Sequence, residues 1–212
     1  MDPPLPGLTF ARPPIAKRDE AYAIEAASYP ADEAATRENW RLRLSEAGEY
    51  FWGASDEKLG LIGFVCGTLA HGEKLADESM QRHVPDGRTL CVHSVVTAAP
   101  LRRKGVGLWM MKCYMAHARA SPIDRVLLLC KERLVGFCAS RPEPAPALPL
   151  ALYTRITARL PPRWPHRSHS LADESAGLTN RGPSGIVHGQ DPWLLMGRTV
   201  AEGGRPAKTA QE

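Results

Sequence analysis

Apolar residues along this chain switch between two spacings, and the switches mark its elements. Leu8 to Arg12 reads as a short strand, stopped by Pro13-Pro14. Ile15 to Ser28 carries Ile15, Ala23, Ala26 and Ala27 among charged residues, a helical pattern that Tyr29-Pro30 breaks. Asp32 is the expected cap of a second helix, Glu33 to Ala47, with Trp40 and Leu44 on one face and Gly48 at its end. Tyr50 to Ala54 and Leu59 to Leu69 form an expected hairpin across the polar stretch Ser55 to Lys58. His71 to Gly87 is polar and reads as a loop, with one helical turn at Asp77 to Gln81. Thr89 to Thr97 is almost continuously apolar, the mark of a strand covered on both faces. Gly105 to Ala120 is a helix whose Leu108, Met111, Met115 and Ala118 share a core-facing stripe. Ser121-Pro122 stops it, Arg125 to Cys130 is a further buried strand, and Leu134 to Cys138 opens another helix.

The pattern then fails. Residues 139–173 hold seven prolines, five arginines and two acids, with no sustained period. A disordered Pro/Arg-rich insertion is expected there, inside one domain of residues 1–200. Ile186-Val187 and Trp193 to Met196 read as a closing hairpin across Gly189 to Pro192. Residues 201–212 read as a flexible tail and residues 1–7 as a frayed start.

Composition narrows the class. With 212 residues, 43% of them hydrophobic, the chain can build one core. A net charge of +4, with no long basic helix and no aromatic-basic repeat, argues against a nucleic-acid partner. No apolar run approaches a membrane span, and the first residues lack a secretory pattern, so a cytoplasmic monomer is expected. The five cysteines are odd in number and form no C-x-x-C, as buried reduced thiols would. Cys91-x-His93 has no second ligand pair at usable spacing, so no metal is expected.

The chemistry concentrates between Thr89 and Ala120. A buried strand runs into Arg102-Arg103-Lys104-Gly105-Val106-Gly107, and a helix begins at once. Glycines let backbone approach an anion, the first N–H groups of a helix point at it, and three cations stand beside it. Strand, basic glycine turn and helix make a phosphate cradle.

Arg102-x-x-Gly105-x-Gly107 resembles the acyl-CoA motif of the GNAT N-acetyltransferases, R/Q-x-x-G-x-G/A. Further stretches resemble the arylalkylamine (serotonin) N-acetyltransferases of the fungal type within that superfamily. They are Glu25 to Ala35, Leu61 to Thr68, Glu78 to His83, Leu90 to Gly107, Leu129 to Phe137 and Gly182 to Met196. The resemblance implies an α/β fold of the GNAT type, a mixed twisted sheet with splayed central strands flanked by helices. It implies acetyl-CoA as co-substrate. Val95, Val96 and Thr97 would offer backbone to the pantetheine arm, and Arg102, Arg103, Lys104, Gly105, Val106, Gly107 and Leu108 would hold the pyrophosphate. Tyr29-Pro30, between the first two helices, would help to form the pocket of a small-molecule amine.

The resemblance also assigns proton handling. The family carries a His-x-His pair on the central strand; this chain has Cys91 and His93, so His93 is the candidate base, acting through water. From the residues alone, His93 reads first as a histidine packed beside the sheet; the motif around it makes it a base. The family's Tyr, which returns a proton to the leaving thiolate, is replaced by Cys138, and the insertion begins beside it. The implied activity is acetyl transfer to an arylalkylamine. A polyamine acetyltransferase and a CoA-binding pseudoenzyme, impaired at Cys138 and by the insertion, are the alternatives.

Overall fold

The computed structural model describes residues 1–73, 75, 81–139, 178–184, 186 and 193–200. Expectations for residues 140–173, 77–80, 187–192 and 201–212 lie outside them. Among the described residues, seven strands form one sheet: β1 (Leu8–Ala11), β2 (Phe51–Asp56), β3 (Gly60–Ala70), β4 (Thr89–Thr97), β5 (Arg125–Lys131), β6 (Thr179–Pro183) and β7 (Trp193–Thr199), in the order β1-β2-β3-β4-β5-β7-β6. Only β4 and β5 run parallel; the other pairs are antiparallel. A parallel pair needs a crossover. Helix α3 (Val106–Ala120) supplies it.

The two faces of the sheet have separate cores. Helix α3 packs Met110, Met111, Tyr114 and Met115 against Leu69, Leu90, Val92 and Val126 on one face. Its buried phenol is satisfied, since Tyr114 donates to the Tyr50 carbonyl at 2.7 Å. On the other face, α1 (Ile15–Ala26) and α2 (Arg37–Ser45) cover Phe51, Leu61, Phe64, Cys66 and Val96. Trp40 of α2 meets Phe51 and Phe64 edge-on, at ring separations of 5.7 and 5.4 Å. The near-continuous apolar run of β4 follows from this sandwiching.

Three expectations need correction. Helix α2 starts at Arg37, not Glu33: Thr36 is its cap, with Oγ1 accepting from the Asn39 N–H at 3.2 Å. Residues 30–35 instead form a turn, in which Glu33 and Ala34 donate their N–H groups to the Pro30 carbonyl. The first strand of the closing hairpin is Thr179–Pro183, and Ile186 stands outside any strand. The first residues are docked: Trp109 Nε1 donates to the Met1 carbonyl at 3.3 Å, and Leu5 packs on the α3-side core. Among the described residues the last helix, α4, is a single turn, Val135–Cys138.

Candidate active site

The register of β4 against β3 contains a one-residue irregularity. Gly67 pairs with Val92 and the next residue, Cys66, pairs with Ser94, so His93 has no partner of its own. This is a β-bulge, a device that re-aims side chains and is enriched near active sites. It reverses the phase of the strand. Before it Leu90 and Val92 face α3; after it Val95 faces α3 and Val96 faces α1 and α2. Pairing between β4 and β5 stops at the same place. The last matched residues are Val92 and Leu128, although β4 continues to Thr97 and β5 to Lys131. The sheet opens into a seam, and His93 stands where it opens.

His93 Nε2 lies 2.7 Å from Oγ1 of Thr68, whose register partner is Cys91. Its Nδ1 is buried and finds no hydrogen-bond partner among the described residues. Burial, helped by the Arg43 charge, holds the imidazole well below its ordinary pKa, so the ring is neutral at physiological pH. Arg43 lies near it; Arg43, Glu25 and Cys66 also lie near Tyr29, and Ser94 hydrogen-bonds to Cys66. The Glu25 carboxylate is buried; Oε1 accepts from the Ala35 N–H at 3.1 Å. Burial and the nearby Glu25 charge push the Tyr29 phenol up, against a hydrogen bond with the Val95 backbone.

The turn between β4 and α3 is built on two left-handed residues, Arg103 at φ 64° and Gly105 at φ 77°. The arginine is a non-glycine residue in a region that costs energy, which marks the turn as held by its surroundings. Arg102 holds part of it: Nε donates to the Thr97 carbonyl at 3.0 Å and Nη2 to Ser28 Oγ at 2.8 Å. Arg102 therefore ties the turn to the end of α1, while Arg103 and Lys104 stand exposed. A Cβ at Gly107 would come within 3.3 Å of Thr97 Oγ1 and meet the Phe137 ring at 3.7 Å. Bare backbone at 107 keeps this approach open, as the close passage of a CoA pyrophosphate needs. Of the backbone expected to meet pantetheine, Val95 is engaged by Tyr29 and the Thr97 carbonyl by Arg102. Val96 is buried against α1 and α2.

Cys138 ends α4 and is 3% exposed. Its thiol hydrogen-bonds to Cys130 of β5, which with burial pushes it far up, while the same bond draws Cys130 down. The two thiols are paired with each other inside the α3-side core.

Two residues of the site had no sequence signal as a pair. Lys131 Nζ and Glu33 Oε1 lie 2.5 Å apart, with side chains 8% and 6% exposed, and Lys131 also sits 5.4 Å from the centre of the Trp193 ring. Their chemistry was visible singly, but nothing local in the sequence joins positions 98 residues apart. Thr68 likewise passed as one more residue of a long apolar strand.

The profile of the Acetyltransferase (GNAT) family matches residues 17–139. Serotonin N-acetyltransferase of Mesocricetus auratus is 33% identical over 78 residues, 36% of this chain and 38% of that protein. The chain thus spans a little over a third of the length of the curated relatives it matches. Among solved structures, the loading GNATL domain of CurA from Lyngbya majuscula superposes with a TM-score of 0.63 at 12% identity, covering 91% of this chain and 98% of that one. YncA from Salmonella typhimurium, described as a putative acetyltransferase with its cofactor acetyl-CoA, gives 0.52 at 16% identity, covering 95% and 99%. Opened seam, glycine turn and family profile agree, and the chain belongs to the acetyltransferase (GNAT) family.

Proposed function

We propose that the protein transfers an acetyl group from acetyl-CoA to the nitrogen of a small primary amine, an arylalkylamine of the tryptamine or serotonin kind. The observation that carries this reading is the placement of His93, a neutral imidazole on a bulge at the mouth of the open seam. Acetyl-CoA, when bound, supplies an activated thioester. The Arg103–Leu108 turn would hold its pyrophosphate on the first N–H groups of α3, with Arg103 and Lys104 adding charge. The stretch of β4 that β5 leaves unpaired, Val95 to Thr97, would run beside the pantetheine, using backbone groups other than those held by Tyr29 and Arg102.

An alkylammonium must lose a proton before it can attack. His93 would take that proton, through water, on Nδ1, the ring nitrogen left without a partner among the described residues. Thr68 fixes the other nitrogen and so the plane of the ring. Tyr29 and Pro30, at the start of the α1–α2 loop, would form one wall of the amine pocket. Of the acids that could receive the further charges of a polyamine, Glu33 is bound to Lys131, Glu25 on α1 gives Oε1 to the Ala35 N–H, Asp32 is exposed and Glu78 lies outside the described residues. The engagement of Glu33 supports the aromatic monoamine.

A second reading, a CoA-binding protein without transfer, is favoured by one observation. Cys138 is buried in the α3-side core and paired with Cys130, so it is poorly placed to give a proton to a departing thiolate. Release of CoA thiol from acetyl-CoA by purified protein tests both. Tryptamine-dependent release exceeding that with spermidine supports the first reading. Binding of CoA with no amine-dependent release, even above pH 8, supports the second.

A further inference from the structure

The α1–α2 loop is fastened on both sides of the seam. Tyr29 bonds to the backbone of Val95 on β4, and four residues later Glu33 pairs with Lys131 on β5. Lys131 lies three residues beyond Leu128, where the two strands part. The loop is therefore a strap across the opening, one foot on each splayed strand. The Glu33–Lys131 foot is almost fully buried. A buried pair gains little net stability, since desolvation offsets its Coulomb attraction, but removing one partner leaves a buried charge that demands a new counterion. Here the charge left behind would be a carboxylate beside the proposed acceptor site.

We propose that the Glu33–Lys131 pair is a specificity determinant of the acceptor site: it straps the α1–α2 loop across the seam and keeps the loop's carboxylate matched to a cation of the chain itself, so that amines bearing one positive charge are selected over diamines and polyamines. This rests on the amine-acetylation reading above. Glu25, on α1, gives Oε1 to the Ala35 N–H and keeps Oε2 buried without a partner among the described residues, while Asp32 is exposed. Of the two carboxylates carried by the strap itself, Glu33 is the buried one that a second substrate ammonium would seek, and Lys131 occupies it. The Trp193 ring gives Lys131 a further favourable contact.

The test uses the full-length protein as wild type, Lys131→Met, and Glu33→Gln with Lys131→Met. Two readouts are taken: kcat/KM for tryptamine and for putrescine by CoA thiol release, and amide hydrogen exchange of residues 29–36. Lys131→Met should raise the putrescine-to-tryptamine ratio by at least about tenfold and speed exchange in the loop, and the uncharged double variant should return the ratio to the wild-type level. A folded Lys131→Met protein with an unchanged ratio overturns the proposal, as does a double variant that shares the shift. Should Lys131→Met fail to fold, the reversed pair Glu33→Lys with Lys131→Glu replaces it. There, wild-type selection and loop protection support the proposal and a gain for putrescine overturns it. If wild type releases no thiol with any amine, the transfer reading itself has failed. The strap is then judged by exchange alone, and equal exchange in wild type and Lys131→Met overturns it.

Discussion

Thr68 Oγ1 and His93 Nε2 stand 2.7 Å apart on adjacent strands. The contact ties an imidazole that is neutral at physiological pH to the rigid middle of the sheet. Position 93 lies on a bulge, where the ladder itself does not fix the side chain. Thr68 supplies the missing constraint.

Replacing His93 by Ala is expected to lower kcat for amine acetylation by about 10²–10⁴-fold, the usual worth of a general base, with CoA binding retained. Thr68→Val is expected to cost about tenfold, or 1.4 kcal/mol, through misplacement of the ring, and Thr68→Ser to restore most of it. Steady-state thiol release and CoA titration by calorimetry separate these effects. A His93→Ala enzyme with wild-type kcat removes His93 from the mechanism.

The pH dependence has a definite sign. The folded pKa of His93 lies below the unfolded value of about 6.5. Above pH 6.5 both states hold a neutral ring and nothing is lost; as pH falls through 6.5 the unfolded chain takes up a proton that the native site refuses, and stability declines. Denaturant midpoints measured from pH 7.5 to 5 should fall in wild type and fall less in His93→Gln. The Arg43 charge is the second cause of the shift, so in Arg43→Met the limb of kcat attributed to His93 should move to higher pH.

Gly105 and Gly107 should fail differently. Gly105 caps α3 in the left-handed region, so Gly105→Ala should cost about 1–2 kcal/mol of stability. Gly107 is helical, and a side chain there meets Thr97 and Phe137 in the approach to the turn. Gly107→Val should raise the acetyl-CoA KM with a smaller effect on the unfolding midpoint. Equal CoA affinity in Gly107→Val and wild type would show that the cofactor does not pass there.

Cys138→Tyr restores the family residue in sequence but not in space. Position 138 is packed against Cys130 inside the α3-side core. A phenol there overfills it, at a cost of about 1–3 kcal/mol. Thermal melts should show the loss, and thiol release should show no gain from this substitution alone. A stable, more active Cys138→Tyr protein would mean that the side chain turns outward to the seam.

The strand–turn–helix unit was legible because each of its parts has a local cause: an apolar run for β4, glycines and cations for the turn, a 3.6-residue period for α3. The start of α2 was misread for a physical reason. Asp32 and Glu33 look like the acidic entry of a helix, but the Glu33 carboxylate is drawn to Lys131, and Thr36 takes over as cap. The bulge at His93 was invisible, because the apolar pattern of β4 is satisfied on both faces and conceals a change of phase. The Glu33–Lys131 and Tyr29–Val95 contacts were invisible because they exist only once the sheet has opened and the loop lies over the gap.

The bulge also fixes how the site can be lost. One residue more than the ladder needs is taken up there, so that Gly67–Val92 and Cys66–Ser94 are successive rungs. Substituting His93 removes a base and leaves Val95 and Val96 where they are. Deleting it would join those rungs into a regular ladder, again with Val95 toward α3 and Val96 toward α1 and α2. The base can therefore be lost by substitution or by deletion without moving either hydrophobic core, and the fold does not protect the chemistry at this position.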